Sequence, residues 1–292
     1  MQAANSFAFK KLPMVTLVAL ISGCELINPS DPVPSYVHID EITVDPIPGT
    51  GTIHHKFGEV WIYANDNYVG TYSIPATVPL LLEGQTELLF FAGIRVNGIQ
   101  SAADFYPFLE PHSVMATFDP GTTTQIDMHT RYRSNATVAY IEDFESAHRI
   151  TDDLDDDPAT FVQRITAGTF EGTGSGRILL DEDADIIRVA SVPLLNTLPV
   201  NGSPVYLELH YKNTVEFSVG LVGHGPVIEP ASVSIIVLRA REDWNKIYIE
   251  LTPALQASQL SAYQVLFVAA HDTSREQSEI YLDNLKIVHI AQ

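Results

Sequence analysis

Hydrophobic and polar residues alternate with a period of two along most of the chain. The alternating runs are rich in Val, Ile, Tyr and Phe and end at Gly, Pro, Asn or Asp, which is typical of β-strands joined by turns. A change of phase at Asp40-Glu41 predicts a β-bulge. Tight turns are predicted at Asn65-Asp66-Asn67 and Asn97-Gly98, because these residues tolerate a positive φ. In the first half of the chain the pattern predicts strands at 36–44, 59–64, 68–74, 86–94, 114–118 and 123–131.

The second half of the chain has a denser series of short strands. About ten strands in roughly 150 residues match the size of a two-sheet jelly roll. Only Leu255 to Tyr263 has apolar spacing that fits one or two helical turns, and its Ser and Gln content makes this segment a weak helix. The predicted fold class is therefore all-β, with two β-sandwich domains of which the C-terminal one is a jelly roll. Its strands are predicted at 139–145, 160–166, 177–180, 185–189, 205–211, 216–222, 232–239, 244–251, 264–270 and 279–290.

The N-terminal segment has the features of a secretory leader. Lys10 and Lys11 supply positive charge, and the apolar run Leu12 to Ile21 is too short to span a bilayer. Ile21-Ser22-Gly23-Cys24 resembles the lipobox of bacterial lipoproteins, where signal peptidase II cuts before a lipid-modified cysteine. The resemblance implies that 1–23 is a cleaved signal peptide and that Cys24 carries diacylglycerol and an amide-linked acyl chain such as palmitate. The expected location is the outer membrane of the cell envelope, with the protein on either the periplasmic or the surface face.

Three further segments are predicted after the leader. Residues 24–35, rich in proline, form an extended spacer behind the lipidated cysteine. Residues 36–133 form a small β-sandwich, and residues 138–292 form the jelly roll. The first of these sandwiches resembles the PEGA and carboxypeptidase-regulatory domains of envelope proteins, which implies a non-catalytic support. The resemblance rests on Tyr68-Val69-Gly70-Thr71, Ile74-Pro75-Ala76, Leu82-Glu83-Gly84 and Ala92-Gly93-Ile94.

The two ends of the second domain also resemble a known type of domain. Ile141-Glu142-Asp143-Phe144-Glu145 and the segment 280–287 are similar to the first and last strands of carbohydrate-binding-module-like jelly rolls, including laminin-G-like and concanavalin-like sandwiches. That frame serves binding modules, lyases, hydrolases and structural domains, so it does not define a function. The resemblance implies a structural calcium ion between Glu145 and Asp283. The alternative is that Asp283-Asn284 hydrogen-bonds a neighbouring loop.

Charge and cysteine content exclude several classes of function. The chain has 16 Lys and Arg against 36 Asp and Glu, and the leader contains two of the basic residues, so the mature chain carries 14 minus 36, or −22. Nucleic acid is therefore excluded as a partner, because phosphate backbones would be repelled. Cys24 is the only cysteine, so once it is lipidated no disulfide, thiol nucleophile or cysteine metal site remains.

Polar residues on two predicted strands form the candidate ligand site. Alternation places Tyr206, Glu208 and His210 on one face of the strand 205–211, and Tyr248 and Glu250 on one face of the strand 244–251. If both faces belong to one concave sheet, they line a groove with rings for sugar stacking and carboxylates for hydroxyl groups. The alternative is a solvated outer face.

No catalytic motif emerges from the sequence. Glycoside hydrolysis requires paired carboxylates, and a Glu-x-Asp-x-x-Glu strand motif is absent. The acidic clusters at 152–157 and 181–185 are interpreted as solvated loops, with calcium sites as the alternative. The sequence predicts a non-enzymatic envelope lipoprotein that binds the membrane through its lipid and acts as an accessory or scaffold subunit of a protein complex. The alternative is a surface glycan-binding module of a polysaccharide-utilisation system, and a polysaccharide-degrading enzyme is less favoured. No cofactor beyond the calcium ion is required.

Overall fold

The chain folds almost entirely into β-strands in a computed structural model, which describes residues 31–226 and 230–291. The leader and Cys24 lie outside the described residues, so lipidation stays a prediction. In the described part of the chain, no helix has the length and apolar character needed to cross a membrane.

The first ten strands pair among themselves and form the N-terminal unit, residues 35–132. The central sheet has the strand order β4-β3-β6-β7, and β8 also pairs with β6. Across from it lie the sheet β5-β1-β9 and the pair β10-β2. Their bounds are β1 Ser35–Ile39, β2 Ile42–Val44, β3 Glu59–Ala64, β4 Asn67–Ser73, β5 Ala76–Leu80, β6 Gly84–Arg95, β7 Ala103–Phe105, β8 His112–Phe118, β9 Thr123–Gln125 and β10 Met128–Thr130.

The core of the N-terminal unit follows from strict alternation. Along β6, Leu88, Phe90, Ala92 and Ile94 point inward and are buried, as expected for a strand with one core-facing side. The adjacent β3 was predicted residue for residue, and Asn65 and Asp66 in the following turn adopt the expected positive φ.

The remaining strands form the C-terminal sandwich, residues 136–290. One sheet has the order β13-β14-β21-β16-β19, with β11 also paired to β21, and the other has the order β12-β15-β20-β17-β18. The bounds are β11 Ala136–Glu142, β12 Ile150–Asp153, β13 Val162–Ile165, β14 Ser175–Leu180, β15 Ile186–Ser191, β16 Val205–Asn213, β17 Phe217–His224, β18 Ala231–Leu238, β19 Arg241–Glu250, β20 Ala262–Ala270 and β21 Ser278–Ile290, with the helix α1 Thr252–Ser258.

The two sheets of the C-terminal sandwich enclose one hydrophobic core. From β16 it takes Leu207 and Leu209, and from β20 it takes Val265 and Phe267. The prediction of an all-β fold with a C-terminal jelly-roll sandwich is confirmed. The division into separate domains at 36–133 and 138–292 stays a prediction.

Several elements differ from their predicted limits. The strand predicted at 36–44 is split into β1 and β2 at the expected phase change, and the strand predicted at 123–131 is split into β9 and β10. The three short strands β5, β7 and β12 were missed. The helix lies at Thr252–Ser258 rather than at 255–263, because Pro253 favours the first helical turn and Tyr263 belongs to β20.

The N-terminal unit packs against the outer face of the sheet that contains β16 and β21. Eight of the nine residues of β16 are buried, which alternation with one solvated face would not produce. Tyr206, Tyr248 and Val288 from this face belong to the hydrophobic core of the N-terminal unit. Backbone contacts also cross the junction, since the Asn97 N–H donates to the Tyr248 carbonyl at 2.9 Å. The two units therefore share a continuous packed interface.

Candidate functional sites at the junction of the two units

The five predicted ligand-binding residues lie together on one face, and of these Tyr248 also borders the open cleft described below. In the pairing of β16 with β19, Tyr206 is opposite Glu250 and Glu208 is opposite Tyr248. The two sets of residues therefore share one face of the sheet, as the alternation predicted. The N-terminal unit covers it, leaving Tyr206, Glu208, His210 and Tyr248 buried and Glu250 half-buried.

A charged cluster occupies the centre of this covered face. The Glu208 carboxylate is fully buried, and its Oε2 lies 2.5 Å from Lys246 Nζ, while its Oε1 lies 3.4 Å from Lys286 Nζ. Both lysines are also almost completely buried. We call Glu208, Lys246 and Lys286 the ionic cluster. A buried charge is tolerated only when it is paired and hydrogen-bonded, and each charge in this cluster has an opposite charge within 3.4 Å.

The N-terminal unit supplies the remaining hydrogen bonds to the ionic cluster. The hydroxyl groups of Tyr106 and Tyr132 donate to Glu208 Oε1 at 2.5 and 2.9 Å. Lys246 Nζ donates to the His54 carbonyl at 2.9 Å, and Lys286 Nζ donates to the Thr50 carbonyl at 3.1 Å. The segment 50–57 therefore runs along the face of the sandwich and caps its two buried lysines with backbone carbonyl groups. Each unit completes the hydrogen bonds of the other.

The pKa values in the ionic cluster reflect burial and mutual attraction. Burial alone would raise the pKa of Glu208, but Lys246 and Lys286 hold it well below its ordinary value. Burial lowers the pKa of Lys246 to about 8, against the opposing pull of Glu208. Glu208 is therefore a buried, ionised carboxylate, which is unsuited to donate a proton to a substrate.

The other members of the predicted site serve as packing groups. His210 stacks on Phe170 with ring centroids 4.0 Å apart, and burial lowers the pKa of His210 to about 2, so the ring is neutral. Tyr206 makes an edge contact with Tyr106 at 6.0 Å between centroids. The Tyr248 hydroxyl accepts a hydrogen bond from the Lys56 backbone N–H at 3.0 Å. Tyr206 and Tyr248 join the two units, whereas His210 packs on Phe170 within the C-terminal sandwich.

An open cleft lies beside the covered face. It has a volume of about 650 Å³ and is bounded by the segments 56–58, 73–74 and 95–100 of the N-terminal unit, and by β18, β19 and Tyr211 of the C-terminal sandwich. This volume is within the usual range for small-ligand sites. The half-buried ring of Phe57 forms part of the wall, stacked against His55 with centroids 4.9 Å apart.

Side-chain amides add hydrogen-bonding groups to the wall of the cleft. Asn97 Oδ1 accepts from the Glu250 backbone N–H, Gln100 Oε1 accepts from Arg95, and Asn245 Oδ1 accepts from Lys56. Because each oxygen is engaged within the protein, the amide NH₂ groups are the parts left to donate to a ligand. The wall of the cleft is therefore rich in hydrogen-bond donors.

Glu145 and Asp283, the predicted calcium ligands, contact the same loop. Glu145 Oε1 accepts from the Thr173 and Gly174 N–H groups at 2.8 and 3.1 Å. Asp283 Oδ2 accepts from the Ser175 hydroxyl at 2.7 Å, and burial raises the pKa of Asp283 to about 6. The described residues contain no group of three His, Cys, Asp or Glu side chains placed to hold a metal ion. These hydrogen bonds match the alternative account of Asp283, and calcium binding stays a prediction.

Sequence reasoning missed the lysines of the ionic cluster and the basic side chains of the cleft. One local signal was available, because Lys286 lies in the run Leu285-Lys286-Ile287-Val288, in which the other three residues are apolar. A lysine on a strand that is buried on both faces requires a buried partner. The cleft had no such signal, since its lining comes from segments far apart in sequence.

Comparisons with known proteins give distant structural neighbours. No family model matches the sequence, and no curated protein matches it. The chain is similar to the family 22 xylan-binding domain of Paenibacillus barcinonensis Xyn10C, with 9% identity and a TM-score of 0.40 over 55% of this chain and 99% of that one. It is also similar to a family 22 module of Clostridium thermocellum Xyn10B, with 15% identity and a TM-score of 0.35 over 55% and 97% of the two chains. A mutant family 29 carbohydrate-binding module complexed with cellulohexaose has 13% identity and a TM-score of 0.31 over 54% of this chain and 92% of that one.

Proposed function

We propose that the protein is a glycan-binding lipoprotein of the cell envelope that holds saccharide in the cleft between its two units. Anchoring would come from the lipid on Cys24, and no catalytic step is part of the proposal. The observation that carries it is the cleft itself, which combines a suitable volume with an aromatic wall and free amide donors. Sugars are recognised by this combination of ring faces and hydrogen-bond donors.

The position of the cleft supports this role. Its two walls come from different units, and the ionic cluster beside it fixes those units to each other. A preformed site lowers the entropic cost of binding, because little of the wall has to be ordered by the ligand. Of the two roles predicted from the sequence, glycan binding accounts for this cleft and a scaffold role does not.

A blocking substitution tests the proposal. Ile99 lies in the wall of the cleft and is 51% exposed, so Ile99→Trp fills the cleft without disturbing the core. Leu81 is 69% exposed and lies outside the cleft, so Leu81→Trp is the matched control. We expect the unaltered chain and Leu81→Trp to bind members of a polysaccharide panel in affinity electrophoresis, and Ile99→Trp to lose most of that binding.

Two results would contradict the proposal. The first is retardation of Ile99→Trp equal to that of the control, which would move the site away from the cleft. The second is no binding to any polysaccharide together with co-purification of a defined set of membrane proteins. That second result would restore the scaffold role.

A further inference from the structure

The cleft has a charge opposite to that of the rest of the molecule. Among the described residues, its lining contains no Asp or Glu, although the chain has 36 of them. It contains Lys56, Arg95, Arg239, Arg241 and Lys246, which are five of the 16 basic residues in the chain. A concentration of this kind in an acidic protein creates a local positive potential where the surrounding surface repels anions.

Two of the five cations are already neutralised. Lys246 belongs to the ionic cluster with Glu208, and Arg95 forms an ion pair with Glu59 at 2.9 Å. For Lys56, Arg239 and Arg241, no carboxylate in the described ranges forms an ion pair. Three cations on the wall of one cleft therefore have no counter-charge from the described part of the chain.

Lys56 lies close enough to Arg241 and Arg95 for their charges to act on it. Burial lowers the pKa of Lys56, and the positive charges of Arg241 and Arg95 lower it further. Such crowding costs free energy that a bound anion would offset. Arginine side chains present a planar fork of donors that pairs with a carboxylate or a sulfate through two hydrogen bonds. The amide NH₂ groups of the wall add neutral donors for the hydroxyl groups of a sugar.

We propose that the cleft binds an acidic saccharide, with Arg239, Arg241 and Lys56 holding the carboxylate or sulfate of one sugar residue. This inference rests on the proposed glycan-binding function and names its ligand class. The ring of the same sugar would lie against Phe57. The acidic surface outside the cleft would repel polyanions that do not fit, which makes the binding selective.

Paired saccharides that differ only in charge provide the test. By titration calorimetry of the mature full-length chain, we expect oligogalacturonate to bind at least tenfold more tightly than its fully methyl-esterified form. Dextran sulfate against dextran is the corresponding pair for sulfate. A larger preference for the charged member in the uronate pair identifies a carboxylate ligand. A larger preference for the charged member in the sulfate pair identifies a sulfated ligand. Both outcomes support an acidic saccharide.

Substitutions at Arg241 connect that preference to the cleft. Arg241→Ala should weaken binding of the acidic saccharide at least tenfold, and Arg241→Lys should restore part of it by keeping the charge. Arg131 is exposed and pairs with Glu110 outside the cleft, so Arg131→Ala is the control and should bind normally. Unchanged melting temperatures show that the variants fold. If Arg241→Ala binds the acidic saccharide as tightly as the unaltered chain, the assignment of the site to the cleft is overturned.

The failure of this inference and that of the proposed function give different results. Equal binding of the charged and uncharged members of each pair, still lost in Ile99→Trp, overturns the acidic ligand and leaves glycan binding intact. If inorganic sulfate binds and no saccharide does, the acidic-saccharide inference and the glycan-binding proposal are both overturned. That result shows a site for a small free anion. Absence of binding to every probe also overturns both.

Discussion

Lys246 Nζ lies 2.5 Å from Glu208 Oε2 in a place where neither side chain is exposed to water. The two residues come from neighbouring strands of the C-terminal sandwich, but their remaining hydrogen bonds end on the N-terminal unit. Breaking a buried ion pair by removing one partner leaves the other charge without compensation. Removing either charge should therefore weaken the junction.

Replacing Glu208 with glutamine should destabilise the protein strongly. Lys246 and Lys286 would keep their burial but lose their only carboxylate partner in the ionic cluster, and we expect a loss of about 3 to 5 kcal/mol in the free energy of unfolding. Urea denaturation measures this change. Glu182→Gln, at an exposed position, is the control and should stay within about 0.5 kcal/mol of the unaltered chain. Equal stability of the two variants would show that the ionic cluster contributes nothing.

The contribution of Glu208 should also depend on pH. Its folded pKa lies below the ordinary value of 4.5, so as the pH falls the unfolded chain takes up the proton first. The contribution is therefore complete above a pH of about 4.5 and is lost as the pH falls towards the folded pKa. The gap in unfolding free energy between the unaltered chain and Glu208→Gln should narrow below pH 4.5. A gap that stays constant at acidic pH would contradict a depressed pKa.

Asn97 should be sensitive to alanine and more tolerant of glycine. It has a φ of 55°, and its Oδ1 accepts a hydrogen bond from the Glu250 backbone across the junction at 3.0 Å. Asn97→Gly loses the hydrogen bond only, at about 1 kcal/mol. Asn97→Ala adds the cost of a left-handed conformation, for a total of about 2 to 3 kcal/mol. Thermal unfolding of both variants separates the two effects, and the opposite order of stability would refute this account.

Lipidation of Cys24 should determine where the protein is found. Cys24→Ser removes the thiol that would be acylated, so the variant should leave the membrane fraction. Ser30→Ala changes the predicted spacer and should stay with the membrane. Mass spectrometry of the mature chain should show a start at residue 24 with the mass of the attached lipid. A bare thiol, or an uncleaved leader, would disprove the lipoprotein assignment.

The strands and their faces could be predicted because alternation is a local property. Glu59–Ala64 and the inward set of β16 were predicted from a few consecutive residues. Strands such as β7 and β12 were missed, since three or four residues with Asp among them give too little pattern. The covered face could not be foreseen, because polar residues beneath a neighbouring unit alternate in the same way as polar residues in water. Tyr106 and Tyr132, the partners of Glu208, lie 102 and 76 residues away in sequence.

The backbone carbonyls of Thr50 and His54, which cap two lysines of the opposite unit, limit how this protein can be rearranged during evolution. Here a recombination that transferred the sandwich alone would carry along a face whose lysines have lost their caps. We therefore expect the two halves to be inherited together.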